Sequence, residues 1–181
     1  PSRFIWDRIN TDAGLTYLKA AIQRADSGTT ATPGVLNQGN LQSVLSNLGP
    51  NLTVFAPTDA AFQAKLTDTI TKVLISLGTD PVTAAAQAAA LASTPGVFSN
   101  PLLYSILTPQ VVKGIVVYHV LGNRAFTNNL PTTNTFYPTL LNGVIAAHPG
   151  LDIKATFGGL PTFPFVTGAT VKGLKNATDA N

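Results

Sequence analysis

The chain has 181 residues, 45% of them apolar and only 10% charged, with a formal net charge of +3 and a mean hydropathy of +0.24. That length supports one domain with a sizeable core, and the charge fraction is too low for a disordered chain. No apolar run reaches the roughly 18 residues of a membrane-spanning helix, and the eleven Lys and Arg residues are too scattered for a nucleic-acid footprint.

All the acidic residues are Asp, and Cys and Met are absent. Without Cys there are no disulfides, no thiolate catalysis and no zinc–thiolate site. The compartment is left open by this, because many secreted bacterial domains lack disulfides. The sequence starts at Pro1 with no initiator Met, which reads as a mature or trimmed product whose targeting segment is gone. Glycosylation sequons occur at Asn51 and Asn176, and the first overlaps a segment expected to be a buried strand.

The first forty residues read as helices with loops. Ile5 and Ile9, then Leu15, Leu18 and Ile22, recur at helical spacing and define one apolar face. Phe4 and Trp6 are expected to anchor the first helix. Residues 28–40 are a polar, Gly- and Pro-containing connection. Leu41, Val44, Leu45 and Leu48 then predict a short amphipathic helix ended by Gly49-Pro50.

Val54, Phe55 and Ala56 form an apolar run suited to a buried strand. Pro57 ends it, because proline gives no amide hydrogen to a ladder and biases the preceding residue toward extended backbone. Thr58 and Asp59 supply side-chain oxygens for the start of a helix that holds Ala60, Ala61 and Phe62. Thr71 to Leu77 predicts a helix closed by Gly78, and Pro81 to Ala92 a second, alanine-driven one broken by Thr94-Pro95-Gly96. Pro109 to Leu121 is apolar on nearly every side, which predicts a helix buried all round.

From Arg124 the texture becomes short β-like runs. These are Ala125-Phe126, Thr135 to Tyr137, Val144 to Ala147, Leu151 to Phe157 and Phe163 to Val171. Asn142-Gly143, Pro149-Gly150 and Gly158-Gly159 are the expected turns. Helices first and antiparallel strands later predict an α+β fold.

The run Thr53-Val54-Phe55-Ala56-Pro57-Thr58-Asp59-Ala60-Ala61-Phe62, followed at a distance by Tyr118-His119, resembles the fasciclin domain family. Its first signature block reads T-V-F-A-P-T-D-x-A-F. Thr139 to Gly143 resembles the hairpin after the Tyr-His motif, and Gly168 to Val171 the strand before the second block. The resemblance covers about Leu15 to Lys172 and implies a single fasciclin-like domain over 1–181, a β-sheet wedge packed with several helices. Residues 67–110 are longer than the family's corresponding stretch and are read as an inserted helical hairpin.

The second signature block, roughly N-G-V-I-H-V-I-D, is missing from the chain. In the family it forms a strand beside the first block. Its absence predicts open ladder groups on the Val54-Phe55 strand and a natural chain that continues past Asn181.

Reactive constellations are scarce. The two histidines, His119 and His148, lie in no metal-ligand spacing, and there is no G-x-S-x-G elbow and no phosphate-binding loop. We therefore expect no catalytic residues, no metal and no cofactor, and no enzymatic activity. A hydrolase would have Asp59 and His119 as its sole candidate pair. His119 reads first as a core histidine, with Thr58 or Asp59 a partner that the resemblance suggests. Asp59 reads as a first-turn carboxylate in the field of its helix.

The resemblance also implies a second role for the same residues. Related matrix members bind integrins through the region of Tyr118-His119, which here also holds Val116, Val117 and Leu121. Thr58, Asp59, Tyr118 and His119 are accordingly the candidate binding residues. The function so implied is an extracytoplasmic cell-adhesion or interaction domain, secreted or at the cell surface, whose partner is a protein or glycan of a cell surface or matrix. Nucleic acid is not an expected partner, and no transmembrane segment is expected in this chain. A membrane anchor, as in a lipoprotein, would belong to a removed N-terminal segment. The alternative is a module for a small apolar ligand or polysaccharide fragment, with Phe157, Phe163 and Phe165 at an apolar pocket.

Overall fold

In a computed structural model, residues 4–27, 40–47, 51–122, 130–143, 150–160 and 163–173 are described. The fold is α+β, with helices filling the first half and antiparallel strands the second. The chain divides into two compact units. Unit one comprises residues 1–48 and 56–116, and unit two comprises 49–55 and 117–181.

Unit one opens with α1 (Ile5–Thr11) and α2 (Thr16–Asp26). Trp6 and Ile9 bury one side of α1, as expected of an anchoring helix. Tyr17, Leu18, Ala21, Ile22 and Ala25 make a continuous buried stripe on α2, and α2 packs on α1, α3 and α4. The short α3 (Leu41–Leu45) starts with every early amide satisfied. Asn40 Oδ1 accepts from the Ser43 amide at 3.2 Å, and the Asp26 carboxylate takes the Leu41 and Gln42 amides at 2.6 and 3.1 Å. Such capping is what lets a helix this short persist.

The sequence predicts separate helices near Ala60 and at Thr71–Leu77, whereas α4 is continuous over Asp59–Ser76. Nothing between them breaks a helix, and Phe62, Leu66 and Ile70 bury one stripe. Each fully buried side chain of that size contributes roughly 1.5–3 kcal/mol. Gly78, at φ +96°, closes α4. The Thr79 amide reaches the Leu74 carbonyl and the Gly78 amide the Ile75 carbonyl, both at 3.0 Å, which together form a Schellman closure. Asp80 then caps α5 (Pro81–Leu91) through the Val82 and Thr83 amides, with Pro81 at the first helical position. The buried side of α5 is only Ala84 and Ala88, small enough for α4 to pack along it.

Two 3₁₀ turns (Pro95–Ser99, Pro101–Leu103) lead to α6 (Pro109–Tyr118). The expected all-round burial of this segment is not what the structure shows. Val112, Val116 and Val117 are buried but Val111 is 49% exposed, and the helix stops at Tyr118. Val120 and Leu121 belong to a strand, so the apolar run serves two elements with different periods.

In unit two, β1 (Thr53–Val54) pairs antiparallel with β2 (Val120–Leu121), Thr53 opposite Leu121 and Val54 opposite Val120. The predicted buried strand is thus two residues long, with Thr53, Val54 and Phe55 half-buried and Ala56 exposed. A three-stranded sheet is ordered β3 (Thr135–Tyr137), β4 (Leu151–Leu160), β5 (Phe163–Gly173), all antiparallel. Gly158-Gly159 is not the hairpin turn. Both glycines sit within β4, opposite Phe165 and Pro164, and the chain reverses between Leu160 and Phe163. Asn142-Gly143 ends a 3₁₀ turn (Leu140–Gly143) instead of a hairpin.

Among the described residues of unit two, Leu121, Leu151 and Ile153 form a buried cluster, with Phe55, Tyr118, Leu130, Tyr137 and Val171 packed against it. Gly150 is required where it stands. Its φ is +72°, and a Cβ there would lie 2.5 Å from Phe136 Cε2 and 2.7 Å from the Tyr137 carbonyl oxygen. The strands expected at Ala125-Phe126 and Val144–Ala147, and His148, lie outside the described residues.

Candidate functional site

Thr58 is the N-cap of α4, and its hydroxyl oxygen accepts from the Ala61 amide at 3.4 Å. That role follows directly from its place after Pro57. Asp59 occupies the first turn of α4, yet its carboxylate turns outward to another helix. Oδ2 accepts from the Thr16 hydroxyl at 2.6 Å and Oδ1 from the Tyr17 amide at 2.9 Å. The Asp59 amide in turn donates to the Gly14 carbonyl at 3.0 Å.

The reason lies at the start of α2. Leu15 holds the N-cap position there and has no side-chain acceptor to offer. An early helical amide left bare would be one of the four unpaired donors that every helix start carries. Asp59 supplies the missing acceptor from the next helix but one, and a negative charge at the positive end of α2 adds to the attraction.

Tyr17 is the hub of this arrangement, and sequence reasoning passed over it. Its ring stacks on Phe62 at 6.2 Å, and Phe62 meets Phe98 edge-on at 5.9 Å. Its hydroxyl donates to the Ala92 carbonyl at 2.6 Å and accepts from Gln63 Nε2 at 3.0 Å. The Asp-x-x-Phe spacing of α4 therefore grips one residue of α2 twice, Asp59 by the backbone and Phe62 by the ring. The absence of a capping side chain at Leu15 was the available signal.

Tyr118 and His119 fall in unit two, whereas Thr58 and Asp59 fall in unit one. At the junction of α6 and β2 the His119 carbonyl accepts from the Phe55 amide at 2.9 Å. Its ring meets that of Tyr118 edge-on at 5.5 Å. The Tyr118 hydroxyl donates to the Gly150 carbonyl at 3.0 Å. Burial pushes the Tyr118 phenol above its ordinary value, so it remains a donor at neutral pH. The Val54-Phe55 segment and the Tyr118-His119 pair thus meet through main-chain pairing, and Phe55 and Tyr118 share one core.

Among the described residues no group of three or more His, Asp or Glu side chains is placed to hold a metal ion. Among them also, no helix is long and apolar enough to cross a membrane. The capped start of α4 is as the sequence motif implied, whereas the strand before it ends at Val54, ahead of Pro57, and its partner is Val120–Leu121.

Residues 27–86 match the fasciclin domain family model. The chain is consistent with a member of that family. The fasciclin match begins at the end of α2, takes in the whole strand-to-helix turn and ends inside α5, about a third of the chain. Fasciclin domains are extracellular adhesion and interaction modules, generally without enzymatic activity. No curated protein and no solved structure matches the chain.

Proposed function

We propose that this chain is a non-enzymatic, extracytoplasmic fasciclin-like adhesion or interaction domain, whose partner is a protein or glycan of a cell surface or matrix. The fasciclin match over residues 27–86 carries the reading. The chemistry of the motif residues supports it. Both Asp59 oxygens serve the start of α2, Thr58 caps α4, and the Tyr118 hydroxyl serves Gly150. These are the duties of scaffold residues, since each bond ties a motif side chain to a neighbouring part of the fold. We read the two units as one domain, because residues 53–62 contribute to both.

The test is a solid-phase assay of the purified chain against cells, matrix proteins and a glycan array. The expected result is saturable binding to one of these, with no hydrolysis of ester, phosphoester or glycoside substrates. A chain that binds none of them, or that turns over such a substrate, contradicts the proposal.

A further inference from the structure

Arg24 lies in the last turn of α2, and two contacts fix its guanidinium. Nε–H donates to the Leu107 carbonyl at 2.9 Å, and the guanidinium carbon stands 4.2 Å from the centre of the Tyr104 ring. Neither contact is a carboxylate, so the charge is held in place without being neutralised. The two terminal nitrogens have no acceptor among the described residues. No acidic residue occurs anywhere from Pro81 to Leu151, so the surrounding stretch offers none. Asp26, on the same helix, directs both oxygens to the amides of α3.

The ring beneath this cation belongs to a turn with two exposed apolar residues. Tyr104 is 43% exposed, and its hydroxyl donates to the Ser99 carbonyl at 3.3 Å. Leu102 is 79% exposed, and its amide is pinned by Asn100 Oδ1 at 3.0 Å. Leu102, two residues before Tyr104 on the same turn, thus presents apolar surface to water without serving the core. Tyr and Arg on a pre-set backbone are the residue types that dominate protein-binding hot spots.

We propose that Arg24, Leu102 and Tyr104 form a docking surface for an acidic segment of a partner protein. A partner carboxylate takes the free fork of Arg24, and an adjoining apolar side chain covers Leu102 and the exposed part of Tyr104. The uncompensated positive charge selects an anionic partner. The exposed leucine selects an apolar peptide side chain over a sugar hydroxyl. The inference rests on the interaction-module reading above and names the surface and the partner chemistry.

The test titrates the full chain with short synthetic peptides that alternate Leu or Phe with Asp or Glu. Matched Asn and Gln peptides serve as one control and a uronate oligosaccharide as the competing arm. The acidic peptides are expected to bind about tenfold tighter than the amide set, a preference that weakens with salt. Leu102→Ser is expected to weaken them at least about fivefold with its melting temperature unchanged, and Arg24→Gln at least as much. Equal binding of acidic and amide peptides, a preference for the uronate, or full binding by Leu102→Ser overturns the proposal. In the solid-phase assay, adhesion fully retained by Leu102→Ser overturns this surface and leaves the module reading standing. A wild-type chain that adheres to nothing removes the module reading, and the peptide titration alone then decides the surface.

Discussion

Asp59 holds Tyr17: its carboxylate accepts the Tyr17 amide at 2.9 Å, across 42 residues of sequence. One side chain of α4 therefore completes the N-terminus of α2, and the Thr16 hydroxyl at 2.6 Å makes the grip two-pronged. Replacing Asp59 by Ala is expected to cost about 2 kcal/mol, the upper end for loss of a helix cap. A cycle with Thr16→Val, read by urea unfolding, is expected to show a coupling of about 1 kcal/mol. Additive effects would mean the hydroxyl and carboxylate act separately.

The Tyr17 side chain carries its own load. Tyr17→Phe removes the donor to the Ala92 carbonyl and the acceptor for Gln63 while leaving the stack on Phe62. We expect a loss of about 1–2 kcal/mol. Phe62→Ala empties the space between Tyr17 and Phe98 and should cost about 3–5 kcal/mol. Equal losses from the two variants in denaturant titration would contradict this ranking.

Lys113 gives the chain an alkaline response. Its Nζ is shielded from solvent with no hydrogen-bond partner among the described residues. Burial lowers its pKa from the usual 10.5, and Asp26 partly opposes that. Between the lowered value and 10.5 the unfolded chain binds more protons than the folded one, so stability rises with pH in that window. Lys113→Met is expected to stabilise the protein by about 1 kcal/mol at neutral pH. That advantage should shrink as the pH approaches 10.5. Melting curves of both proteins across pH 7 to about 10 check the sign, and an advantage that grows with pH would refute it.

Two glycines should respond in opposite directions. Gly150→Ala places a methyl group against the Phe136 ring at a left-handed φ, and is expected to cost about 2 kcal/mol or more. Gly114 lies within α6 with open space at its Cβ position. Gly114→Ala should therefore stabilise by about 0.5–1 kcal/mol through the propensity difference. Thermal melts of the two variants decide both.

What the sequence made legible was local. Pro57, Thr58 and Pro81 act within a few residues of themselves, so the starts of α4 and α5 could be read directly. Asp59 could be placed in a first turn but not assigned to α2, because its partner is fixed only by tertiary packing. The run from Pro109 to Leu121 misled because apolar composition does not show where a helix gives way to a strand. Gly158-Gly159 misled because a glycine pair resembles a turn, whereas strand register moved the reversal beyond it. The meeting of Phe55 with His119 was legible through the motif resemblance, not through any periodicity.

The sharpest test is amide hydrogen exchange at Tyr17, measured by NMR in the wild type and in Asp59→Ala with Ile70 as an internal reference. If Asp59 is a cap, exchange at Tyr17 accelerates about tenfold or more beyond any change at Ile70, since the first turn of α2 frays before the core opens. A Tyr17 amide that stays as protected, relative to Ile70, as in the wild type would show that the carboxylate has some other purpose.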